Sequence, residues 1–460
     1  MIAPISGASE VIFGWNPLWV AGIIFFITYA FIMSERINRA VIALLGACFM
    51  VLTGVVSQEI AVHGIDWNTI GLLTGMMAIV AITRRCGVFQ FVAIWSAKRV
   101  KASPWGILVM LSIVTAVVSA LLDNVTTVLL IAPVTLLIAK ELEIPPYPLL
   151  FSQIIFSNIG GTATLIGDPP NILIGSQVES VTFNGFLVNV APITPFAGLA
   201  VMLPIWLLWG RKMHASPEAR KRIMQFEPLD SITDYVLLKK SLFVLGLVLI
   251  GFMVGHPMGI EPATVALMGA AFLLFLDNLG RTAQGKSENV HRSFGEVEWV
   301  TIFFFVGLFV LVHGLESAGA LGILAGHVVG LTESAQTSGE ITSILSLAVL
   351  WVSAIASTIV DNIPFVATMI PTLEAAMTQL ADAGRGLSLD QQNAVWWSLS
   401  LGACLGGNGS LIGASANLIV AGIAERAGHP IGFMQFLKHA FLLMILTIVI
   451  ATVYVWFRFL

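Results

Sequence analysis

The chain has 460 residues, 57% of them hydrophobic and 10% charged, with a formal net charge of −4 and a mean hydropathy of +0.93. This composition excludes a soluble globule, because many segments exceed the roughly 18 apolar residues that a membrane-spanning helix needs. Cys48, Cys86 and Cys404 are scattered through apolar segments, so neither a disulfide framework nor a metal site is expected. No nucleotide-binding loop or Gly-Lys-Ser/Thr motif is read in the chain, so no bound nucleotide is expected, nor any cofactor or nucleic-acid partner.

Taken in order, the first half holds five predicted spans: about 15–33, 40–57, 68–83, a broken segment at 148–178, and 188–209. The N-terminus lacks a basic start and a small-residue cleavage site, so the stretch from Trp15 to Met33 reads as a retained span. Between the third and fourth spans lies 105–142, too long for one helix and interrupted at Leu122-Asp123-Asn124; it reads as a re-entrant hairpin. The stretch 210–240 is a polar linker with Pro217 and Pro228. The second half repeats the order: about 240–255, 262–278, 299–315, a hairpin at 341–379, a broken segment at 393–425, and 436–459. The runs 280–296 and 380–391 read as polar loops.

The broken segments organise the rest. In the first, Gly160, Gly161 and Gly167 weaken helix and Pro169-Pro170 removes two backbone donors. The second, Gly406 to Ile419, aligns without a gap on Gly160 to Leu173 and repeats Gly160, Gly161, Leu165, Ile166, Gly167 and Asn171 as Gly406, Gly407, Leu411, Ile412, Gly413 and Asn417. Broken backbone inside hydrocarbon is tolerated only where protein buries it or a polar cavity receives it. Two such breaks at corresponding places in two halves point to a transporter's substrate site.

Other residues repeat too. Asp66-Trp67 answers Glu298-Trp299, Gly75 and Gly87 answer Gly307 and Gly319, Ala43-Leu-Leu-Gly-Ala47 resembles Ala266-Leu-Met-Gly-Ala270, and Asp123-Asn124 answers Asp361-Asn362. Five spans per half make the halves oppositely oriented. With the linker cytoplasmic, all but Arg385 and Arg458 of the 22 Lys and Arg residues fall inside. The expected architecture is therefore an all-α polytopic membrane protein built as an inverted repeat of two five-helix halves. It has ten transmembrane helices, two re-entrant hairpins and two broken helices. The halves are 1–210 and 241–460, joined by the linker 211–240, with both termini outside.

A carboxylate deep in an apolar segment is costly and marks a functional site by default. Asp123, Asp361 and Asp168 meet that description. Asp123 and Asp361 sit at hairpin tips, where the following Asn can satisfy backbone while the Asp faces the cavity; the plainer reading is a helix cap. Asp168 lacks an acidic counterpart, Ala414 standing in its place, and its plainer reading is a cap for the half-helix at Pro169-Pro170. His313 reads as a packed or interfacial residue, Cys404 as a small buried one. Trp15, Trp105, Trp396 and Trp397 read as interface anchors.

The strings Leu122-Asp-Asn-Val-Thr-Thr and Asn158-Ile-Gly-Gly-Thr-Ala-Thr-Leu-Ile-Gly-Asp-Pro-Pro-Asn171 resemble the ion transporter superfamily, most closely its arsenite permease and sodium/proton antiporter group. The resemblance implies a scaffold and a moving transport region, often a dimer, with room for a cytoplasmic ATPase partner. On matching positions, it places the solute at Asn124, Gly160, Gly161, Thr162, Thr164, Asn171, Asn362, Gly406, Gly407, Asn408, Ser410 and Asn417. It assigns proton or cation coupling to Asp123, Asp361 and Asp168. Divalent-anion symporters of the wider superfamily carry Ser-Asn-Thr at both tips, whereas this chain carries Asp-Asn-Val and Asp-Asn-Ile. A carboxylate 4 Å from a bound anion costs about 4 kcal/mol per charge pair at an effective dielectric near 20. A neutral or cationic solute suits such a site. The expected activity is arsenite and antimonite efflux in exchange for protons across the cytoplasmic membrane, with sodium/proton antiport as the alternative and symport of an organic or inorganic anion ranked behind both.

Overall fold

The computed structural model describes residues 11–34 and 36–460, and every regular element among them is helical. Among the described residues, eight helices are long and apolar enough to cross a membrane, or nine if Trp67–Arg84 and Val88–Arg99, bent by 64°, count as one span. Helices Arg39–Leu52 and Pro262–Asn278 are apolar but shorter. Large apolar side chains such as Phe26, Leu199 and Phe457 face outward, as expected of a surface that meets lipid rather than water.

The two halves lock together through the repeated residues. A Cβ on Gly75 would lie 2.6 Å from the backbone of Ala266, and one on Gly307 would lie 2.6 Å from the backbone of Ala43. Glycine lets Trp67–Arg84 touch Pro262–Asn278, and Trp299–Ser317 touch Arg39–Leu52, backbone to backbone. Gly87 and Gly319 (φ of 81° and 82°) each turn the chain from a long helix into a shorter one. Only glycine adopts that left-handed conformation without strain.

The hairpin arms run Pro104–Leu121 with Asn124–Leu142, and Ser338–Ile359 with Asn362–Asp382. All four arms have 18 residues or more and three are also apolar enough to span, so arm length does not distinguish a re-entrant hairpin. Each tip reaches the break of a broken helix: the Asn124 N–H donates to Gly167 O at 3.0 Å, and the Asn362 N–H to Gly413 O at 3.3 Å.

Three expectations are corrected. The run 280–296 contains a helix, Ala283–Gly295, capped by the Thr282 side chain. Asn289 and Ser293 on its buried face join Arg85 and Asp277 in a polar network, and a solvated loop could not hold those partners in place. Trp396 and Trp397 are not interface anchors; they are 2% and 3% exposed, inside the protein against neighbours such as Phe186. The stretch Gly280 to Ser287 fits the spacing of a phosphate-binding loop, a match missed in the sequence. It follows a membrane helix rather than a strand, and the helix begins inside it, so the Gly285 and Lys286 amides donate to Thr282 instead of facing a phosphate.

Candidate functional site

The first broken helix runs Tyr147–Thr162 and resumes as Pro169–Gln177; the second runs Leu389–Gly406 and resumes as Ser415–Arg426. Each break leaves helix-end carbonyls without their usual partners, and the same residue supplies the remedy in both. The Asn171 amide donates to the carbonyls of Gly161, Thr162 and Thr164 at 3.0–3.3 Å. The Asn417 amide donates to those of Gly407 and Ser410 at 2.8 Å. Hydroxyls at matching positions tie each break to its hairpin: Thr164 donates to Ala120 O at 2.6 Å and Ser410 to Thr358 O at 2.5 Å. Thr162, also buried, donates back to Asn158 O within its own helix.

The glycines pack rather than open. A Cβ on Gly406 would sit 2.5 Å from Cα of Ala354, and one on Gly160 would strike the backbone of Ala116 in the same way. Gly161 abuts Gly167 across the first break, and Gly407 abuts Gly413 across the second. Their shared role is to let a hairpin arm and a broken helix meet at backbone distance.

The two breaks also hold each other. Asn158 donates to Asn408 and to Asn417 of the other half, both at 3.0 Å. Cys404, at the position of Asn158 in the repeat, donates through sulfur to Asn171 at 3.3 Å, and Ser400 donates to the same oxygen at 2.6 Å. Asn158 and Ser400 were missed as site residues. The signal for Asn158 was available, since a polar side chain there faces a thiol in the aligned repeat.

At the tips, the roles expected of Asp and Asn are exchanged. Asp123 accepts from the Thr126 N–H at 2.7 Å and Asp361 from the Ile363 N–H at 3.1 Å, so both carboxylates cap helices. The Asn side chains point into the centre instead: the Asn124 amide donates to Asn158 at 3.1 Å. Asp361 has further partners, the Arg39 guanidinium at 2.9 Å and the Ser415 hydroxyl at 2.6 Å. Neither partner was foreseen, because nothing local to residues 39 or 415 announces a contact made only in space.

Asp168 reverses the opposite expectation. It occupies the capping position of Pro169–Gln177 but makes no capping hydrogen bond. It is fully buried, and neither carboxylate oxygen has a hydrogen-bond partner. Cys404, Asn362 and Asn124 are its nearest polar neighbours. Asn124 Oδ1, Asn362 Nδ2 and Asn408 Nδ2 are likewise buried and unpartnered. A native interior leaves few such atoms. Here acceptors and donors are gathered where both tips and both breaks meet, an arrangement able to receive a small polar solute or cation.

Comparison with known proteins finds transporters among its relatives. The profile of the CitMHS family, described as a citrate transporter family, matches residues 29–402. An uncharacterized transporter of Mycobacterium tuberculosis is 40% identical over 445 residues, covering 96% of this chain and 98% of that protein. The 46 kDa membrane protein of Mycobacterium leprae is 39% identical over 446 residues, covering 96% and 99%. The P protein of Homo sapiens is 31% identical over 506 residues, which covers 93% of this chain but 58% of that longer protein. Among solved structures, the YdaH transporter of Alcanivorax borkumensis, described as having an unusual topology, superposes with a TM-score of 0.57 at 15% identity, covering 96% and 98%. That likeness concerns the fold alone.

Proposed function

This chain belongs to the CitMHS citrate-transporter family, and from that premise we propose that it is a proton-coupled secondary transporter of a small uncharged or cationic inorganic solute. Arsenite leads and sodium is the alternative. One observation carries the reading: a fully buried Asp168 with two unpartnered oxygens, set among unpartnered side-chain atoms of Asn124, Asn362 and Asn408. An unpaired buried carboxylate is expensive to keep ionised, so it is a natural place for a proton or cation to come and go. A trihydroxy solute such as arsenous acid could accept from Asn362 and Asn408 while donating to Asn124 and Asp168. Sodium would use the same oxygens together with carbonyls of the breaks. A polycarboxylate would meet the carboxylate of Asp168, while Arg39 is already held by Asp361.

In this reading the halves are inverted repeats with a cytoplasmic linker and both termini outside. The hairpins and broken helices form a transport unit, which moves against a scaffold made by the helices that pack through Gly75 and Gly307. The deciding measurement is transport into inside-out vesicles under an imposed pH gradient, comparing arsenite, antimonite, sodium and citrate. Arsenite uptake that follows the gradient and is lost in Asp168→Asn supports the first reading. Sodium-dependent proton movement without arsenite uptake selects the second. Gradient-driven citrate uptake that survives Asp168→Asn would refute both.

A further inference from the structure

The repeat makes the two ends of the site directly comparable, and they differ. On one side, Asp66 accepts from the Thr69 hydroxyl at 2.7 Å and from the Ser176 hydroxyl, and Thr69 and Ser176 lie 2.7 Å apart. These contacts pin the end of Pro169–Gln177 to the start of Trp67–Arg84. The matching positions on the other side are Glu298, Thr301 and Gly422. Glycine at 422 offers no hydroxyl, and in place of a latch there is a cavity of about 440 Å³ lined by Arg39, Glu298, Thr301, Asp361, Ser415 and Arg426.

Asp361 lines this vestibule, and Arg39 reaches it. Arg39, at the start of Arg39–Leu52, stacks on the Phe304 ring at 4.9 Å. It donates to Asp361 at 2.9 Å and to Ser415 at 2.5 Å. Its side chain is 24% exposed, that of Asp361 9%. Asp361 belongs to the second hairpin and Ser415 to the second broken helix, whereas Arg39 and Phe304 belong to the helices packed through Gly307. The pair therefore bridges two units that must separate if one moves. The first half has no equivalent, because Pro262 stands at the position of Arg39 and Pro169 at that of Ser415.

We propose that Arg39 is a resident counter-ion of the cycle, holding Asp361 and the vestibule in the open arrangement until an entering proton or sodium ion takes its place. Arg39 and an incoming cation cannot share one carboxylate at close range without mutual repulsion. Binding of either one excludes the other, and among the described residues only Arg39 ties Asp361 to the scaffold. The remaining groups facing Asp361 are Glu298 and Arg426 in the vestibule, Asp168 from the first broken helix and Tyr29 from the first span. Glu298 and Asp168 favour cation entry, Arg426 opposes it, and Tyr29 is uncharged. The inference rests on the transporter reading above, but its test measures access rather than flux, so the two can fail separately.

A cysteine at position 422 reports the vestibule, since a side chain there meets only the tip of Arg426, at 3.7 Å. Of the native cysteines only Cys48 is exposed, so Cys48→Ser removes the background. In full-length Cys48→Ser/Gly422→Cys protein in lipid nanodiscs, maleimide labelling is expected to be fast at alkaline pH without sodium. Divided by the rate of a free thiol at the same pH, which removes the change in thiolate fraction, it should slow about tenfold in acid or on adding sodium, a change of the size expected when a counter-ion biases a two-state equilibrium. Arg39→Lys should behave like its parent. Arg39→Gln and Asp361→Asn should label slowly and, on the same normalised scale, show no response to pH or sodium. Ser415→Ala keeps the ion pair and provides an independent check should Arg39→Gln fold poorly; it should slow labelling by about threefold. Parental rates and pH response in Asp361→Asn and Ser415→Ala, or in Arg39→Gln, would overturn the proposal.

Discussion

Replacing Asp168 by Asn should make the protein more stable and less active. The side chain is fully buried at the first break, and both carboxylate oxygens lack partners. A buried, unsatisfied polar group costs about 1–3 kcal/mol, and more when charged. Asn has nearly the same shape, carries no charge and has an amide that can reach the unpartnered Asn124 Oδ1, so the variant should gain about 1–3 kcal/mol. For a chain of this size that corresponds to a rise of a few degrees in the midpoint of thermal unfolding. Because membrane proteins commonly unfold irreversibly, the comparison should use one heating rate and one detergent, followed by size-exclusion chromatography. The same preparation, reconstituted, should lose pH-gradient-driven flux. Stability gained where function is lost is the pattern of a site kept strained for its activity. A variant that melts several degrees lower while transporting at the wild-type rate would show that the Asp168 carboxylate is part of the scaffold, and the reasoning would fail.

Gly160→Ala and Gly406→Ala should each destabilise the protein by about 1–3 kcal/mol, because the added methyl meets the backbone of Ala116 or Ala354. Gly→Leu at either position should abolish folded material in chromatography rather than silence a folded transporter. Folded Leu variants that merely fail to transport would restore the view that these glycines face solute. Cysteines placed in 211–240 should react with an impermeant reagent only from the cytoplasm, and those in 256–261 or 327–340 only from outside. Labelling of both sets from one face would rule out the inverted topology.

Much of this fold is legible in the chain because its determinants are local. Spanning helices need only length and apolarity, and their observed bounds lie within a few residues of the hydropathy limits for most segments, such as Trp299–Ser317 against 299–315. The breaks announce themselves through glycine and proline, and the alignment of Gly160–Leu173 on Gly406–Ile419 identifies Asn171 and Asn417 as partners. Structure then shows them performing one task, each amide spanning its own break.

What tertiary structure alone decided is which polar atom finds a partner. Sequence makes Asp123, Asp361 and Asp168 look alike, three acids in apolar surroundings. In space, Asp123 caps a helix, Asp361 is held by a guanidinium 322 positions away in the chain, and Asp168 is left with nothing. The tryptophans at 396 and 397 and the helix at Ala283–Gly295 were misread for a related reason. Apolar or polar character fixes which side chains need covering but not what covers them, and a hydrogen bond within 3 Å depends on packing that no local pattern encodes.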